Sequence, residues 1–500
     1  MNTQRKCSTL PRGLRIILVP LLTATSLVAC GGDANNSAMG ANGSGTTGAT
    51  QPAASAAGPA TTAAPGTSAA STITAQPLDP CDPIGTLMTL DLNDRCVGAE
   101  GEFFDKEEFA GLLIKLGYWV DQSCPNGALV VAQPNQVLVA VADPSHLDAS
   151  VTEVVGKLPG SAANTDFKTN LSQVIDVRNV QVDNILKQLP SLQGEGYSTD
   201  LNYLEPVQPN YGFRPADDPH PAAGNQVPDT GAGGAPSILV LDSTDDASLY
   251  DVDGNGFVDE DHGHGVFVRS IIQRQAPGAA VTLQAVTSSA NRLASGRWFP
   301  MMFSDADLIR DMEPHFSSDP EGPFKIDTSF AAVNLSLGGA GCTTSAFGYG
   351  VGERLALARE MDAFWQKDNN MRFVSAAGND HGYDLKLEFK HFPAAWRDQT
   401  ATNELATQVD AVNNGDTTAG DEIRQIHERL ANAVIAVAAS DGLDYTNCGD
   451  WINAVARGTD TGNYGPGLAT WRGTSFATAN ESANVAQGQL PNDSLPCPPP

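Results

Sequence analysis

After Pro236 the chain alternates short, almost wholly apolar runs with stretches of helical period: "SILVLD", "GVFVRSIIQRQ", "AVTLQAV", "FAAVNLSL", "GERLALAREMDAFWQ", "RFVSAAGN" and "NAVIAVAASD". No other feature limits the fold as strongly. A strand with one wet face alternates polar and apolar residues, whereas a strand without polar positions must be covered on both faces. Helices packed on both sides of a mostly parallel sheet supply that cover. The predicted class over residues 236–490 is therefore α/β. In such sheets chemistry gathers beyond the carboxyl ends of the strands.

Three predicted strand ends carry candidate groups. "SILVLDST" ends with Asp242 and two hydroxyls, "VNLSLGG" with Ser336 and two glycines, and "RFVSAAGND" with Asn379 and Asp380. "DHGHGVFVRSII" puts His264 just before an apolar helical pattern, and "RGTSFATAN" puts Ser475 at the start of another. A serine hydroxyl attacks poorly unless a base takes its proton, and imidazole suits that task near neutral pH. The imidazole needs a buried carboxylate to fix its tautomer. An amide beside a glycine turn, as at Gly378 and Asn379, can donate to the oxyanion that follows. Singly, each group has an ordinary reading: a turn or cap for Asp242, a loop or metal-binding histidine for His262 or His264, a helix N-cap for Ser475.

Together the blocks "ILVLDST", "GHGVFV", "AVNLSLGG", "SAAGND" and "RGTSFATA" resemble those of the subtilisin-like serine peptidases over about residues 236–490. The resemblance implies Asp242 as the carboxylate, His264 as the base, Ser475 as the nucleophile and Asn379 as an oxyanion donor. It implies Ser336, Leu337, Gly338 and Gly339 as a strand edge that pairs with an extended peptide. "HGVFV" from His264 fits the family's histidine block, whereas reading from His262 misplaces the apolar positions. Val266 stands where threonine is usual, Arg269 where a small residue is usual, and Ala479 where proline is usual. No "GxSxG" elbow surrounds Ser475, which weighs against an esterase.

Between Asp242 and His264 lies "DVDGNGFVDEDH", in which Asp251, Asp253, Asn255 and Asp259 take the first, third, fifth and ninth places of a calcium loop and Gly256 the turn. The twelfth place is His262, which supplies no bidentate carboxylate. Structural calcium and a plain acidic turn both fit. Upstream, residues 79–209 read as a small cysteine-containing α+β region, with "NGALVVAQ" and "NQVLVAVAD" as strands and "NVQVDNILKQLPSL" as strand then helix. Its layout, ending in "YSTDLNYLEPV", is similar to subtilase pro-domains. Residues 210–235, rich in Pro, Gly and Asp, are expected to be an exposed connector and a processing site, and residues 491–500 a tail.

At the N-terminus Arg5, Lys6, Arg12 and Arg15 precede "IILVPLLTATSLVAC", an export signal in residues 1–29. "LVAC" resembles the bacterial lipoprotein signal and implies a lipid on Cys30, with Gly31 leaning toward the outer membrane. Residues 30–78, mostly Gly, Ala, Ser, Thr and Pro, form a low-complexity tether with a coil reach of roughly 40 Å. Outside the signal and Cys30, Cys81, Cys96, Cys124, Cys342, Cys448 and Cys497 remain to pair in an oxidising compartment. With three before residue 125 and three after 340, full pairing sends a bridge between modules; Cys342 with Cys448 is the expected pair. A formal charge of −29 disfavours nucleic acid and anionic lipid as partners. The expectation is an exported serine endopeptidase, either lipid-anchored or released after processing, acting on peptide or protein substrates with no cofactor in the chemistry. The alternative is a catalytically inactive relative that works as a binding module.

Overall fold

The computed structural model describes Ala110, Ile114 and residues 118–124, 129–178, 180–206, 220–228, 236–243, 260–286, 302–316, 330–342, 353–379, 390–443, 445–464 and 467–491. Six strands form the central sheet in the order Ala454–Ala456, Val434–Ala439, Arg372–Ala376, Phe330–Leu335, Ser237–Asp242, Ala280–Ala285. Every neighbouring pair is parallel. The expected α/β class is what the chain adopts, and the reason is visible in one strand. Leu239 and Leu241 join one core with Met361 and Ile426, while Ile238 and Val240 join a second with Phe267, Ile271 and Phe476. Alternate side chains thus leave the sheet in opposite directions and both sets are buried by helices.

On the second face lies the helix Thr474–Ala486, whose residues through Ala483 are all buried. Ala477, Ala479 and Ala483 let its backbone come close to the sheet, and Asn334 Nδ2 donates to Ser482 Oγ at 3.0 Å to fix its register. Ala479, where proline was expected, is fully buried in that contact. Strand order reverses at Ser237–Asp242, which has Ala280–Ala285 on one side and Phe330–Leu335 on the other. Parallel sheets open a crevice at such a point, past the strand ends.

Within residues 119–206 strands and helices form an α+β unit. Ser161–Lys168, Ser172–Val177, Val130–Ala140 and Ser198–Pro206 make an antiparallel sheet, with Trp119–Asp121 added to Val130–Ala140. The helices Leu147–Lys157 and Val182–Gly194 belong to this unit. The two strands expected around Gln133 are one 11-residue strand. Pro134 is accommodated where its pairing with Ser198–Pro206 shifts register between Ala132 and Val137.

Two expectations are corrected. Residues 210–235 are not wholly a connector: His220–Ala222 pairs antiparallel with Gly467–Arg472. Val227 is held to Asn463 by hydrogen bonds in both directions at 2.8 Å. Residues 220–227 therefore belong with the half that carries the parallel sheet. Cys342 pairs not with Cys448 but with Cys124, at a Cα separation of 5.6 Å. The folded chain brings the end of the N-terminal sheet to the Gly339–Gly341 strand, a proximity that sequence spacing does not encode. Cys448 is also in a disulfide.

Candidate active site

Asp242 closes its strand, and His264 lies in the first turns of the helix Glu260–Gln275. Gly265 makes their meeting possible. A Cβ there would stand 2.5 Å from Ser243 O and 3.1 Å from Asp242 Cβ, so only glycine lets the helix touch the strand end. Its N–H donates to Ser243 Oγ at 3.0 Å. His264 Nδ1 then lies 2.8 and 3.0 Å from the two Asp242 oxygens, and Asp242 Oδ1 also accepts from Ser243 N at 2.7 Å. Both side chains are almost fully buried (Asp242 1%, His264 2% exposed). A carboxylate so placed makes Nδ1 the protonated nitrogen and leaves Nε2 as the basic one.

Aromatic rings wall the imidazole, with Trp471 edge-on at 5.5 Å and Phe476 tilted at 5.5 Å. Phe476 follows Ser475 in the chain, so the start of that helix lies against the imidazole. Ser475 is not a helix cap. Gly473 holds that position in extended backbone, and Ser475 is the second helical residue. Its Oγ donates to Ser336 O at 3.0 Å while Ser336 Oγ donates to Ser475 O at 2.8 Å. No hydrogen bond joins His264 to Ser475 among the described residues.

Asn379 comes from the strand end after Arg372–Ala376. Gly378, with φ of +96°, turns the chain there, and Asn447 braces it by donating from N to Gly378 O at 2.9 Å and from Nδ2 to Ala377 O at 2.8 Å. Asn379 Oδ1 accepts from Thr474 N at 2.9 Å and Thr474 Oγ1 at 3.0 Å. Those two donors assign the amide: oxygen toward the helix, Nδ2 with both hydrogens uncommitted among the described residues. The Ser475 N–H belongs to the helix's unpaired first turn. Two donors, one from a side chain and one from the main chain, are thus available at the helix N-terminus, where the dipole favours negative charge. The second donor was missed in the sequence because it belongs to no side chain.

Ser336, Leu337, Gly338 and Gly339 follow the Phe330–Leu335 strand. They are not a free edge throughout, because Gly339–Gly341 pairs antiparallel with Lys390–Phe392. A Cβ on Gly339 would collide with the Arg354 guanidinium and come within 3.2 Å of Leu204 O. The N-terminal unit therefore sits at this edge. Its last strand also pairs with Met302–Ser304, Leu204 opposite Ser304 and Pro206 opposite Met302.

That docking is buried and mixed: Leu201 and Tyr203 share one apolar core with Leu337 and Leu355, and polar contacts run through it. Asp200 Oδ2 accepts from Leu355 N at 3.0 Å and Asn202 Oδ1 from Ala306 N at 3.1 Å, so one strand caps the starts of two helices. Arg354, at φ +60°, pairs with Asp305, donates to Leu204 O and lies 5.5 Å over the Tyr203 ring. Ser172 Oγ donates to Glu360 Oε2 at 2.5 Å. Burial pushes Asp200 up to about 7 and Glu360 up to about 8, and holds Glu353 well above the carboxylate range.

Arg269 is half-buried and leaves the packed face of its helix to Phe267, Val268, Ile271 and Ile272, so its length does not intrude on the core. Asp251, Asp253, Asn255, Asp259, Asp380 and Cys30 lie outside the described residues, as does the side chain of His262. None of the helices among the described residues is long and apolar enough to cross a membrane.

No family model and no curated protein matches the chain. Solved structures do. Fervidolysin from Fervidobacterium pennivorans, a keratinolytic enzyme related to subtilisin, matches at 13% identity and a TM-score of 0.38, covering 71% of this chain and 54% of that one. A cold-adapted subtilisin-like serine proteinase matches at 16% identity and 0.29, covering 55% and 82%. MycP1 from the ESX-1 type VII secretion system matches at 16% and 0.30, covering 56% and 80%. The chain spans about half the length of fervidolysin.

Proposed function

We propose that the chain is an exported serine endopeptidase that hydrolyses peptide bonds through an acyl-enzyme on Ser475. The observation that carries this reading is the buried Asp242 carboxylate holding His264 Nδ1 beside a helix whose second residue is Ser475. In the reaction Ser475 Oγ leaves Ser336 O, gives its proton to His264 Nε2 and bonds to the carbonyl carbon of the substrate. Charge develops on the carbonyl oxygen, which accepts from Asn379 Nδ2 and Ser475 N. The imidazolium, held by Asp242, protonates the departing amine. Water then enters, His264 takes its proton as the water oxygen bonds to the acyl carbon, and the imidazolium returns that proton to Ser475 Oγ as the ester bond breaks. Hydrogen bonds of this kind commonly tighten only when substrate binds, so the Ser475 hydroxyl resting on Ser336 is compatible with the role.

The unit at residues 119–206 acts in this reading as a pro-domain. Its strand Ser198–Pro206, paired with Met302–Ser304 and abutting Gly339, occupies ground that an extended substrate would use. Because residues 220–227 are stitched to the catalytic half, processing falls within residues 207–219. Export, the lipid at Cys30 and calcium at Asp251, Asp253, Asn255 and Asp259 belong to the same proposal. Turnover of a fluorogenic peptide library by the processed protein tests it. Wild type is expected to release product, and Ser475→Ala and His264→Ala to fall to background. Equal turnover by wild type and Ser475→Ala would end the proposal.

A further inference from the structure

The disulfide Cys124–Cys342 joins the N-terminal unit to the residue just after the Gly339–Gly341 strand, across a sequence separation of 218. Both cysteines are buried, Cys124 5% and Cys342 2% exposed. Residues 207–219, where processing is proposed, lie between these two positions. A cut there opens a ring instead of dividing the molecule. We propose that the processed protein is a disulfide-linked two-chain molecule whose N-terminal unit remains a permanent intramolecular occupant of the catalytic half. The proposal rests on the processing reading above.

The contacts that survive a cut are otherwise non-covalent: the apolar core that Leu201 and Tyr203 share with Leu355 and Met361, Asp200 to Leu355 N, Asn202 to Ala306 N, Arg359 to Ser198 Oγ, Ser172 to Glu360 and the pairing of Leu204 with Ser304. A unit held by these alone leaves when the protein is diluted below its dissociation constant. A linked unit instead meets its site at an effective concentration on the order of millimolar; with a micromolar intrinsic constant it stays docked at about 1,000 to 1 at any dilution. Opening of the cleft becomes a unimolecular event. Substrate competes with a strand that swings away and returns, and does not compete with a freely diffusing inhibitor. Burial of both sulfurs keeps external thiolates from attacking the bridge while the unit is docked. Cys30 precedes Cys124 in the chain, so a lipid there also keeps the catalytic half at the membrane after processing.

Denaturing gels of the full exported chain, run with and without a phosphine reductant, give the first test. The expected result is one full-length species without reductant and two fragments with it, their boundary within residues 207–219. The second test is specific peptidase activity over about a 1,000-fold dilution, a range chosen from the effective-concentration ratio. Wild type is expected to hold constant within about twofold, whereas the Cys124→Ser/Cys342→Ser protein rises at least about tenfold as its unit dissociates. Fragments that separate without reductant, or a wild-type rise equal to the variant's, would overturn the proposal. If wild type shows only the full-length species with reductant, autoprocessing is refuted. A site-specific protease sequence inserted within residues 207–219 of wild type then supplies the cut. Fragments that stay joined support retention, and fragments that part overturn it. This last arm needs no cysteine variant, so a failure of that variant to fold leaves the decision intact.

Discussion

Replacing Asn379 by aspartate separates two jobs that one side chain performs. Its Oδ1 accepts from Thr474 N and Thr474 Oγ1, and a carboxylate keeps both bonds. Its Nδ2 is the donor assigned to the oxyanion, and a carboxylate has none. Alanine, by contrast, removes two hydrogen bonds of about 1 kcal/mol each and strands a buried helix N–H at a further cost of about 1–3 kcal/mol. The alanine variant therefore confounds stability with catalysis, and aspartate does not. Loss of one such donor costs about 10²–10³-fold in kcat, a magnitude established on a subtilisin. The negative charge that aspartate adds beside the developing oxyanion pushes in the same direction. Steady-state turnover of a fluorogenic peptide, with active sites titrated, and a thermal melt on the same samples give the two readouts. The expected outcome for Asn379→Asp is kcat down at least about 10²-fold, KM within about threefold and Tm within a few degrees of wild type. A kcat within tenfold of wild type at an unchanged Tm would refute the assignment of Nδ2.

Asp242→Asn keeps the geometry around His264 but favours the wrong tautomer, and kcat in the same assay is expected to fall about 10⁴-fold with little change in KM. Gly378→Ala puts a Cβ 2.5 Å from Asn447 Nδ2 and 2.8 Å from His391 Cγ at a φ of +96°. A cost of about 1–3 kcal/mol in denaturant melts is expected, together with a kcat loss from the displaced Asn379. Glu360 is raised to about 8 by burial, with the hydrogen bond from Ser172 opposing, Glu313 raising it further and Lys367 also opposing. A raised carboxylate favours the folded state while protonated, so its contribution is complete below the ordinary carboxylate range and is lost as pH climbs toward about 8. Tm is expected to fall over that interval, and Glu360→Gln to flatten the fall by up to one proton's worth, about 1.4 kcal/mol per pH unit. An unchanged pH profile in the variant would contradict it.

The apolar strands were legible because burial on both faces leaves no choice of residue type, as Ile238 to Leu241 show. Asp242, His264 and Ser475 stood out in the sequence because each lies at a strand end or near a helix start that those strands define, and folding joins the first two. The partners were less so. Gly265 and Gly378 are required by contacts with Ser243 O and His391 that exist only after folding. Ser336 was expected to bind substrate, but its own hydrogen bonds also hold Ser475. The short strand His220–Ala222 carries no apolar pattern and is defined by the edge of Gly467–Arg472 that it joins. Cys124–Cys342 is a tertiary proximity across 218 positions. The Asp251 to Asp259 loop and the N-terminal segments fall outside the described residues.

Catalysis in this reading depends on Ser475 being a nucleophile activated where Asp242 and His264 meet. Its most direct test is a fluorophosphonate adduct located by peptide mass spectrometry on the processed protein. One adduct is expected, on Ser475, lost in Ser475→Ala and strongly slowed in His264→Ala and Asp242→Asn. Processed protein that takes no adduct, or takes it on another residue, contradicts the claim.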